Sequence, residues 1–513
     1  MILEALKVKA QTEGVCAVDE NGIVLSFTEL DYRSDALAAY FLENLPKNAS
    51  VLLIGDKEND MLTCIFASMK SGRAYVPLTV NTPEKRAKFI ADDSEATLII
   101  AFHTELLSES TLPRLTEKDI EEIIIAYEGK IVKKKDWIKY DDMMALLYTS
   151  GSTGNPKGVI NGLGDLENLF LATEDYYIGG PGQRVMNSFS YMFSAHMQHV
   201  FRTMVLMGST MYAVPQSIQK DTRKLMDYYL SIGPHYLGIT PTSCAMLLSD
   251  SRFCEKEMPT LKGVALAGEV CSRKLVQRLF EAFPRITVKI QYASTELTTV
   301  TIGNHFKLEE FRDMTSEVIP LGKPVESIET KLWDEEDKEV LEGEKGELII
   351  LSPRLSDGYW KNPEQTNLSF FTLSDGRRGF RTRDLLIQKE GLLYYAGRLD
   401  NRIKIGGNRV ELEEVEAALT SLNIIRQCVV LPVQSEDERV TSLIAYITLI
   451  DPSRNSLDVI ILIKKLLKDF LPSYMIPQKI IILPEFKTNS SGKIDRGYLR
   501  LRHEDQIKKM QRA

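Results

Sequence analysis

The chain has little cysteine and no paired cysteine motif. Its six cysteines, at 16, 64, 244, 254, 271 and 428, are scattered without a CxxC pair, so neither a disulfide framework nor a cysteine-ligated zinc site is supported. It also lacks a basic excess: 63 Lys and Arg stand against 71 Asp and Glu, a formal charge of −8. The two basic runs, Lys133–Lys135 and Lys508–Arg512, are too short for the electrostatic footprint of a nucleic-acid binder. No apolar run reaches the roughly 18 residues that suggest a membrane span. The first residues, Met1–Lys9, carry charges where a signal peptide needs an apolar core. The expectation is a cytoplasmic protein with no membrane and no nucleic-acid partner. The six histidines are dispersed except for His196 and His199, and there is no internal repeat or low-complexity linker. A hydrophobic share of 44% over 513 residues is ordinary for a globular chain of several domains.

What is present is a dense loop. Leu147–Gly158 packs Thr149, Ser150, Gly151, Ser152, Thr153, Gly154 and Lys157 into one short stretch. Glycines let backbone N–H groups close on an oxyanion, hydroxyls add donors that rotate to fit, and the lysine supplies a mobile charge. Such clusters are usually plain solvent turns. Here an apolar run, Met143–Tyr148, leads in like a buried strand, and a helical pattern follows at Asp165–Tyr177. Lys157 is followed by Gly158 rather than a Ser or Thr that would hold magnesium, so a P-loop NTPase is not indicated.

Short β-type runs (Val51–Ile54, Thr97–Ala101, Val264–Leu266, Val288–Ile290) alternate with helical stretches (Asp56–Lys70, Arg273–Phe283), which predicts α/β layers. From about residue 320 the pattern changes to hairpins, with Glu329–Trp333, a turn at Glu342–Lys345 and a run at Gly346–Leu351. Gly397–Glu416 is the best candidate boundary. Beyond it, Leu412, Val415, Leu419 and Leu422 share a helix face, strands are expected at Cys428–Val433 and Leu443–Ile450, and a helix at Leu457–Phe470. The expected fold is therefore α/β: an N-terminal domain over 1–399, layered α/β with a β-rich part at about 320–399, and a small C-terminal α+β domain over 400–513.

Further segments carry the residue types that nucleotide chemistry needs. Gln291–Glu296 ends a strand with an aromatic ring, hydroxyls and a carboxylate able to hold Mg²⁺. Arg381–Asp384 offers a carboxylate for ribose hydroxyls, Gly397-Arg398 a guanidinium for phosphate, and Asn489–Arg496 a lysine, Lys493, on a glycine turn. Each alone is weak. In order, with Leu25–Leu30, Lys70–Pro77, Leu147–Gly158, Gly346–Tyr359, Gly397–Glu416 and Leu471–Pro477, they span nearly the whole chain. Together they resemble the adenylate-forming superfamily of acyl-CoA synthetases, luciferase and peptide-synthetase adenylation domains.

That resemblance implies a two-step reaction. A carboxylate attacks the α-phosphate of ATP to give an acyl-adenylate and pyrophosphate, and a thiol then displaces AMP. By similarity, Thr149–Lys157 grip the β- and γ-phosphates, Thr295 contacts the α-phosphate and Glu296 holds Mg²⁺. Gln291, Ala293 and Ser294 join Tyr292 and the Gly268-Glu269 backbone around the nucleotide, Tyr292 stacking on adenine. Asp384 takes the ribose and Arg398 sits near ribose and phosphates. Lys493 resembles the family's catalytic lysine, bridging substrate carboxylate and α-phosphate as an electrostatic clamp. Asp400 matches the hinge about which the small domain turns, withdrawing Lys493 and presenting Lys404–Arg409, with Lys404 counted among the catalytic residues. The chain departs from the pattern in three places: Tyr-Ala-Ser-Thr-Glu for the usual Tyr-Gly-Pro-Thr-Glu, Thr382-Arg383-Asp384 for Thr-Gly-Asp, and Ile290 where an adenine-facing Asn is frequent.

Amino-acid-activating members place an aspartate opposite the substrate ammonium. The corresponding position is Ser194 or Ala195, depending on the anchor, and neither is acidic. A buried ammonium without a partner costs several kcal/mol, which argues against an ordinary α-amino acid. Other wall positions by similarity are His196, His199, Gly238, Ala265, Ala267, Gln291, Thr299 and Val300. Several are small, leaving room for a flat ring, so the expected substrate is an aryl acid such as a hydroxy- or aminobenzoate, with His196 or Gln291 bonding a ring substituent; His196 as a structural histidine is the alternative. The expected acceptor is the phosphopantetheine of a separate carrier protein, or CoA. A D-alanine-type carrier ligase and an acyl-CoA synthetase are the rival readings, and a non-catalytic nucleotide-binding scaffold would be signalled by loss of Lys493, Glu296 or Asp384, all of which are present.

Overall fold

The computed structural model describes residues 1–487, except 13, 152–154, 173–178, 299, 315, 317, 327, 353–354, 401, 436–438 and 452–455, together with residue 499. The fold is mixed α/β, in two compact units: one holds 1–82, 87–149 and 157–400, the other 83–86, 150–156 and 401–513. Among the described residues no helix is long and apolar enough to cross a membrane.

Among the described residues, the larger unit contains three sheets. One runs Arg114–Leu115, Ala96–Ala101, Ser50–Ile54, Ala74–Leu78, Met143–Thr149, Lys157–Gly162, parallel until its last, antiparallel pair. Ser50–Ile54 and Ala74–Leu78 are buried throughout, and such strands read as continuous apolar runs. A nine-stranded sheet carries Arg184–Asn187, Tyr236–Ile239, Gly263–Ala267 and Thr287–Ala293 as parallel neighbours, with Val300–Phe306 returning antiparallel. Helices cover one face of it. Arg273–Ala282 buries Leu275, Val276, Leu279 and Phe280, and Ser272 caps its start by accepting from the Leu275 N–H. The third sheet is antiparallel and built from Glu329–Trp333, Lys345–Ser352, Phe370–Thr372, Arg378–Lys389 and Leu392–Arg398. The expected change from alternating layers to hairpins near residue 320 is thus present.

Two expected helices start or stop elsewhere. The helix read from Asp56 begins at Asn59, because Glu58 Oε2 turns back to accept the Asp56 N–H at 2.7 Å. The pattern at Asp165–Tyr177 is a helix over Leu163–Ala172, and 173–178 lie outside the described residues.

The smaller unit has its own core. A hairpin, Arg402–Ile405 with Asn408–Glu411, turns through Gly406 (φ 56°) and Gly407 (φ 80°), the consecutive left-handed pair that tight hairpins require. The helix Leu412–Thr420 buries Val415 and Leu419 against Ile425–Gln434, Val440–Leu449 and Lys479–Ile482. The helix Ser456–Leu467 adds Val459, Ile463 and Leu467.

Candidate active site

The loop that dominated the sequence closes a hairpin. Thr149 pairs with Lys157 across antiparallel strands, so the chain leaves the loop in a strand, and the helix expected next starts only at Leu163. Unlike a P-loop, the loop runs on into a strand and not directly into a helix. Thr149 Oγ1 and Ser150 Oγ are each buried without a hydrogen-bond partner. Gly151 is buried, whereas Ser152, Thr153 and Gly154 lie outside the described residues. The Lys157 ammonium stands 4.2 Å from the centroid of the Tyr359 ring, and the Tyr359 hydroxyl donates to Glu296 Oε1 at 2.9 Å. Tyr359 thereby joins the loop lysine to the candidate metal carboxylate. Its part was not readable from its own sequence neighbours.

Glu296 is fully buried in the short turn Thr295–Leu297, which packs against Lys157–Gly162. Ser294 Oγ, just before it, is another buried hydroxyl with no partner. Thr298, just after it, has φ +66°, a left-handed backbone that a β-branched residue rarely adopts. Uncapped buried hydroxyls cost stability, and phosphate oxygens would satisfy them. The residues therefore fit a bound polyphosphate.

The candidate nucleoside residues form a second group. The Tyr292 hydroxyl donates to Asp384 Oδ2 at 2.5 Å, and burial, then the Asp384 charge, push the phenol well above its ordinary pKa. Arg398 pairs with the other oxygen of Asp384 and holds both oxygens of Asp400, at 2.7 and 3.0 Å. Burial opposes the charge on Arg398, but these carboxylates outweigh it and keep the guanidinium protonated. Arg383, where the family has glycine, is exposed with φ +63°. Glu269 Oε2 accepts from the N–H and hydroxyl of Thr242, at 2.9 and 2.7 Å, fixing the turn at Gly268 (φ +89°). Ile290 belongs to the core, so it does not stand in for an adenine-facing Asn.

The candidate acyl wall is a sheet face. Gly238 pairs with Ala265, and Ala267 with Gln291. Strand alternation puts all four opposite Leu237, Ile239, Val264, Leu266, Val288 and Ile290, which face the core. A Cβ on Gly238 would lie 2.8 Å from His199 Cε1 and Nε2 and 3.8 Å from Phe189, so these two rings cover that face. Phe189 was not foreseen. His199 lies in a π-helix, Gln198–Leu206, and Ser194 and Ala195 are half-buried at the short helical turn before it. Val300 is buried and pairs with Ala293 past a bulge, while Thr299 lies outside the described residues.

His196 needs a correction. Its Nδ1–H donates to the Phe193 carbonyl at 2.7 Å, and its Nε2 accepts from the Tyr75 hydroxyl at 2.8 Å. Both ring nitrogens are spent and the side chain is fully buried, so it offers nothing to a substrate. The structural alternative for His196 is the one the geometry supports.

Comparison with known proteins decides the family. The AMP-binding enzyme family matches residues 6–360, and the AMP-binding enzyme C-terminal domain matches 414–493. This chain belongs to the AMP-binding enzymes. It is 33% identical over 491 residues to a D-alanine–D-alanyl carrier protein ligase of Listeria monocytogenes, covering 93% of both chains. A ligase of the same name from Bacillus cereus is 29% identical over 481 residues, covering 92% of this chain and 93% of the relative. Two solved structures share the fold. The o-succinylbenzoate CoA synthetase MenE of Bacillus subtilis has a TM-score of 0.81 at 20% identity, over 96% of this chain and 97% of that one. The Vibrio cholerae adenylation domain AlmE with glycyl-adenosine-5'-phosphate has a TM-score of 0.80 at 18% identity, over 98% and 97%. The curated relatives are named for D-alanine, not for an aryl acid, and favour the D-alanine-type alternative over the aryl expectation.

As an AMP-binding enzyme, the chain is an adenylate-forming acid–thiol ligase. Two of its candidate catalytic lysines fall in the smaller unit: Lys404 is half-buried on the Arg402–Ile405 strand opposite Arg409, and Lys493 lies outside the described residues. Asp400 is the last residue of the larger unit.

Proposed function

We propose that this AMP-binding enzyme activates a short carboxylic acid with ATP and transfers the acyl group to the phosphopantetheine thiol of a separate carrier protein. A carboxylate oxygen attacks the α-phosphorus and the bond to pyrophosphate breaks. The thiol sulfur then attacks the acyl carbon, AMP leaves, and the thiol proton is released. The observation that carries the reading is the Lys157–Tyr359–Glu296 series, which brings a phosphate-holding cation and a buried carboxylate together beside unsatisfied hydroxyls.

Lys157, Thr149, Ser150 and Ser294 hold the polyphosphate, with Thr295 at the α-phosphate. No three His, Cys, Asp or Glu side chains gather as metal ligands among the described residues, so Glu296 would share Mg²⁺ with phosphate oxygens, as that ion commonly is. Magnesium supplies charge neutralisation between the two reacting anions. Tyr292 and the Gly268 turn flank the base, and Asp384, oriented by Tyr292 and Arg398, accepts from the ribose hydroxyls. Lys493 clamps the two anions during adenylation, and rotation of the 400–513 domain about Asp400 then brings Lys404 to the thiol. The relatives' name supports a carrier protein over CoA, and their substrate supports a small acid.

Substrate-dependent exchange of labelled pyrophosphate into ATP, run over α-amino, hydroxy, aliphatic and aryl acids, tests the first half-reaction. Exchange is expected with short acids. Silence across the whole panel, or exchange confined to benzoates, would overturn the proposal.

A further inference from the structure

Asp93, the last residue of the helix Glu84–Asp93, is half-buried and holds three side chains. Its Oδ2 accepts from the Tyr148 hydroxyl at 2.5 Å, and its main-chain carbonyl accepts from the Trp360 indole N–H at 2.9 Å and from the Lys361 ammonium at 3.0 Å. A carboxylate at a helix C-terminus opposes the helix dipole, so the helix itself does not call for Asp93. Burial, then the bond to Asp93, push the Tyr148 phenol well above its ordinary pKa, so it keeps the proton it donates.

These partners are the chain neighbours of the phosphate residues. Tyr148 precedes Thr149, and Trp360 follows Tyr359. Gly158, which follows Lys157, is tied to both: it pairs across the strands with Tyr148, and its carbonyl accepts from the Trp360 N–H at 2.8 Å. A Cβ on Gly158 would lie 3.1 Å from Tyr148 Cζ and 3.0 Å from Leu146 Cδ1, so the phenol ring lies over this glycine. Ile160 donates to the Gly358 carbonyl at 3.0 Å and Val159 bridges Tyr359, so 358–360 covers the outer edge of the strand Lys157–Gly162. Asp93, Tyr148, Gly158 and Trp360 thus form a closed circuit. Successive strand residues face opposite sides, which sets Thr149 on the face away from Tyr148. The circuit therefore lies behind the candidate phosphate residues, one position along the chain from Thr149, Lys157 and Tyr359.

We infer, on the polyphosphate reading proposed above, that Asp93 is a positioning residue for ATP: through Tyr148 and Trp360 it fixes the two strands that carry Thr149 and Lys157. A hydroxyl and an ammonium gathered only when the ligand arrives lose conformational freedom on binding. Held in place beforehand, they do not. The same circuit fixes Tyr359, whose ring centroid lies 4.2 Å from the Lys157 ammonium. AMP has no β- or γ-phosphate and does not use this grip. Asp93 therefore acts on ATP and not on AMP.

The test is isothermal titration of the full chain with ATP and magnesium and, separately, with AMP, which needs no acid substrate. Asp93→Ala and Tyr148→Phe should each weaken ATP binding by roughly tenfold, the scale of one hydrogen bond to a charged group, and leave AMP binding unchanged. The double variant should be no weaker than either single one, because both remove the same bond. Asp93→Asn, whose amide oxygen still accepts from the phenol, should fall between the parent and Asp93→Ala. Tyr148→Phe keeps the ring over Gly158 and remains decisive if Asp93→Ala does not fold. Parent-like ATP affinity in Tyr148→Phe, or equal weakening of ATP and AMP, overturns the inference and leaves the polyphosphate reading standing. Absence of ATP binding by the parent chain would remove that reading as well.

Discussion

Lys157 holds its ammonium 4.2 Å from the centroid of the ring of Tyr359, a residue distant in sequence that bridges Val159 of the same strand as Lys157 and donates its hydroxyl to Glu296. One side chain thus sets the position of a cation through its face and of a carboxylate through its edge. Tyr359→Phe keeps the ring and removes the donor. It should raise the KM for ATP by roughly tenfold, the scale of one hydrogen bond to a charged group, and leave the KM for the acid unchanged. Tyr359→Leu removes both contacts and should cost more. Steady-state pyrophosphate exchange at varied ATP checks this, and an unchanged ATP KM in both variants would show Tyr359 to be structural only.

Arg383 has φ +63° beside Asp384, with its side chain exposed. The left-handed region strains any residue with a Cβ, and the family's usual residue here is glycine. Arg383→Gly should therefore stabilise the protein by about 1 kcal/mol, read as a higher urea midpoint. Destabilisation would mean that the arginine side chain makes a contact worth more than the strain.

Much of the fold was legible because local pattern and tertiary demand agreed. Glu329–Trp333 was bounded to the residue, since alternation and a following turn both mark it. The strand Lys157–Gly162 was missed: three of its six residues are Gly or Asn, which weakens any β signal, and pairing with Met143–Thr149 forms it. The small residues Gly238, Ala265 and Ala267 were placed on a wall by resemblance, but their common face follows only from strand register. The two histidines could not be told apart in one dimension. Tyr75, far away in the chain, bonds His196 Nε2, whereas His199 Nδ1 is buried without a hydrogen-bond partner.

Lys493→Ala should separate the half-reactions. If the lysine neutralises charge only while carboxylate and α-phosphate approach, its loss should reduce adenylation by roughly a hundredfold or more, as for other preorganised charge contacts. Thioester formation from supplied acyl-adenylate should persist largely unchanged. Lys404→Ala should show the opposite bias. The two rates are measured separately, by pyrophosphate exchange and by acylation of a holo carrier protein. Equal loss of both rates in each variant would contradict the clamp-and-rotation assignment.

Glu58 gives a prediction whose sign is set by its burial. The side chain is 8% exposed, and burial pushes its carboxyl from 4.5 up to about 7, against the backbone N–H groups that favour its charge. A folded pKa above the unfolded one means that the native protein holds the proton more tightly. The stabilisation is full below pH 4.5 and is lost as pH rises through about 7. Between pH 5 and 8 the native protein should lose on the order of 2–3 kcal/mol from this group. Lys57 next to it, lowered to about 8 by burial, has a folded pKa below its unfolded one. Its contribution begins to raise stability from about pH 7, opposite in sign to the Glu58 loss and still small at pH 8, and it is common to the parent and the Glu58→Gln variant. Glu58→Gln keeps an acceptor for the Asp56 N–H and cannot ionise. It should match the parent near pH 5 and exceed it at pH 8, as read from urea midpoints at pH 5, 6, 7 and 8. A variant weaker than the parent at pH 8 would mean that the carboxylate is ionised and compensated in the native state, and the burial argument would fail.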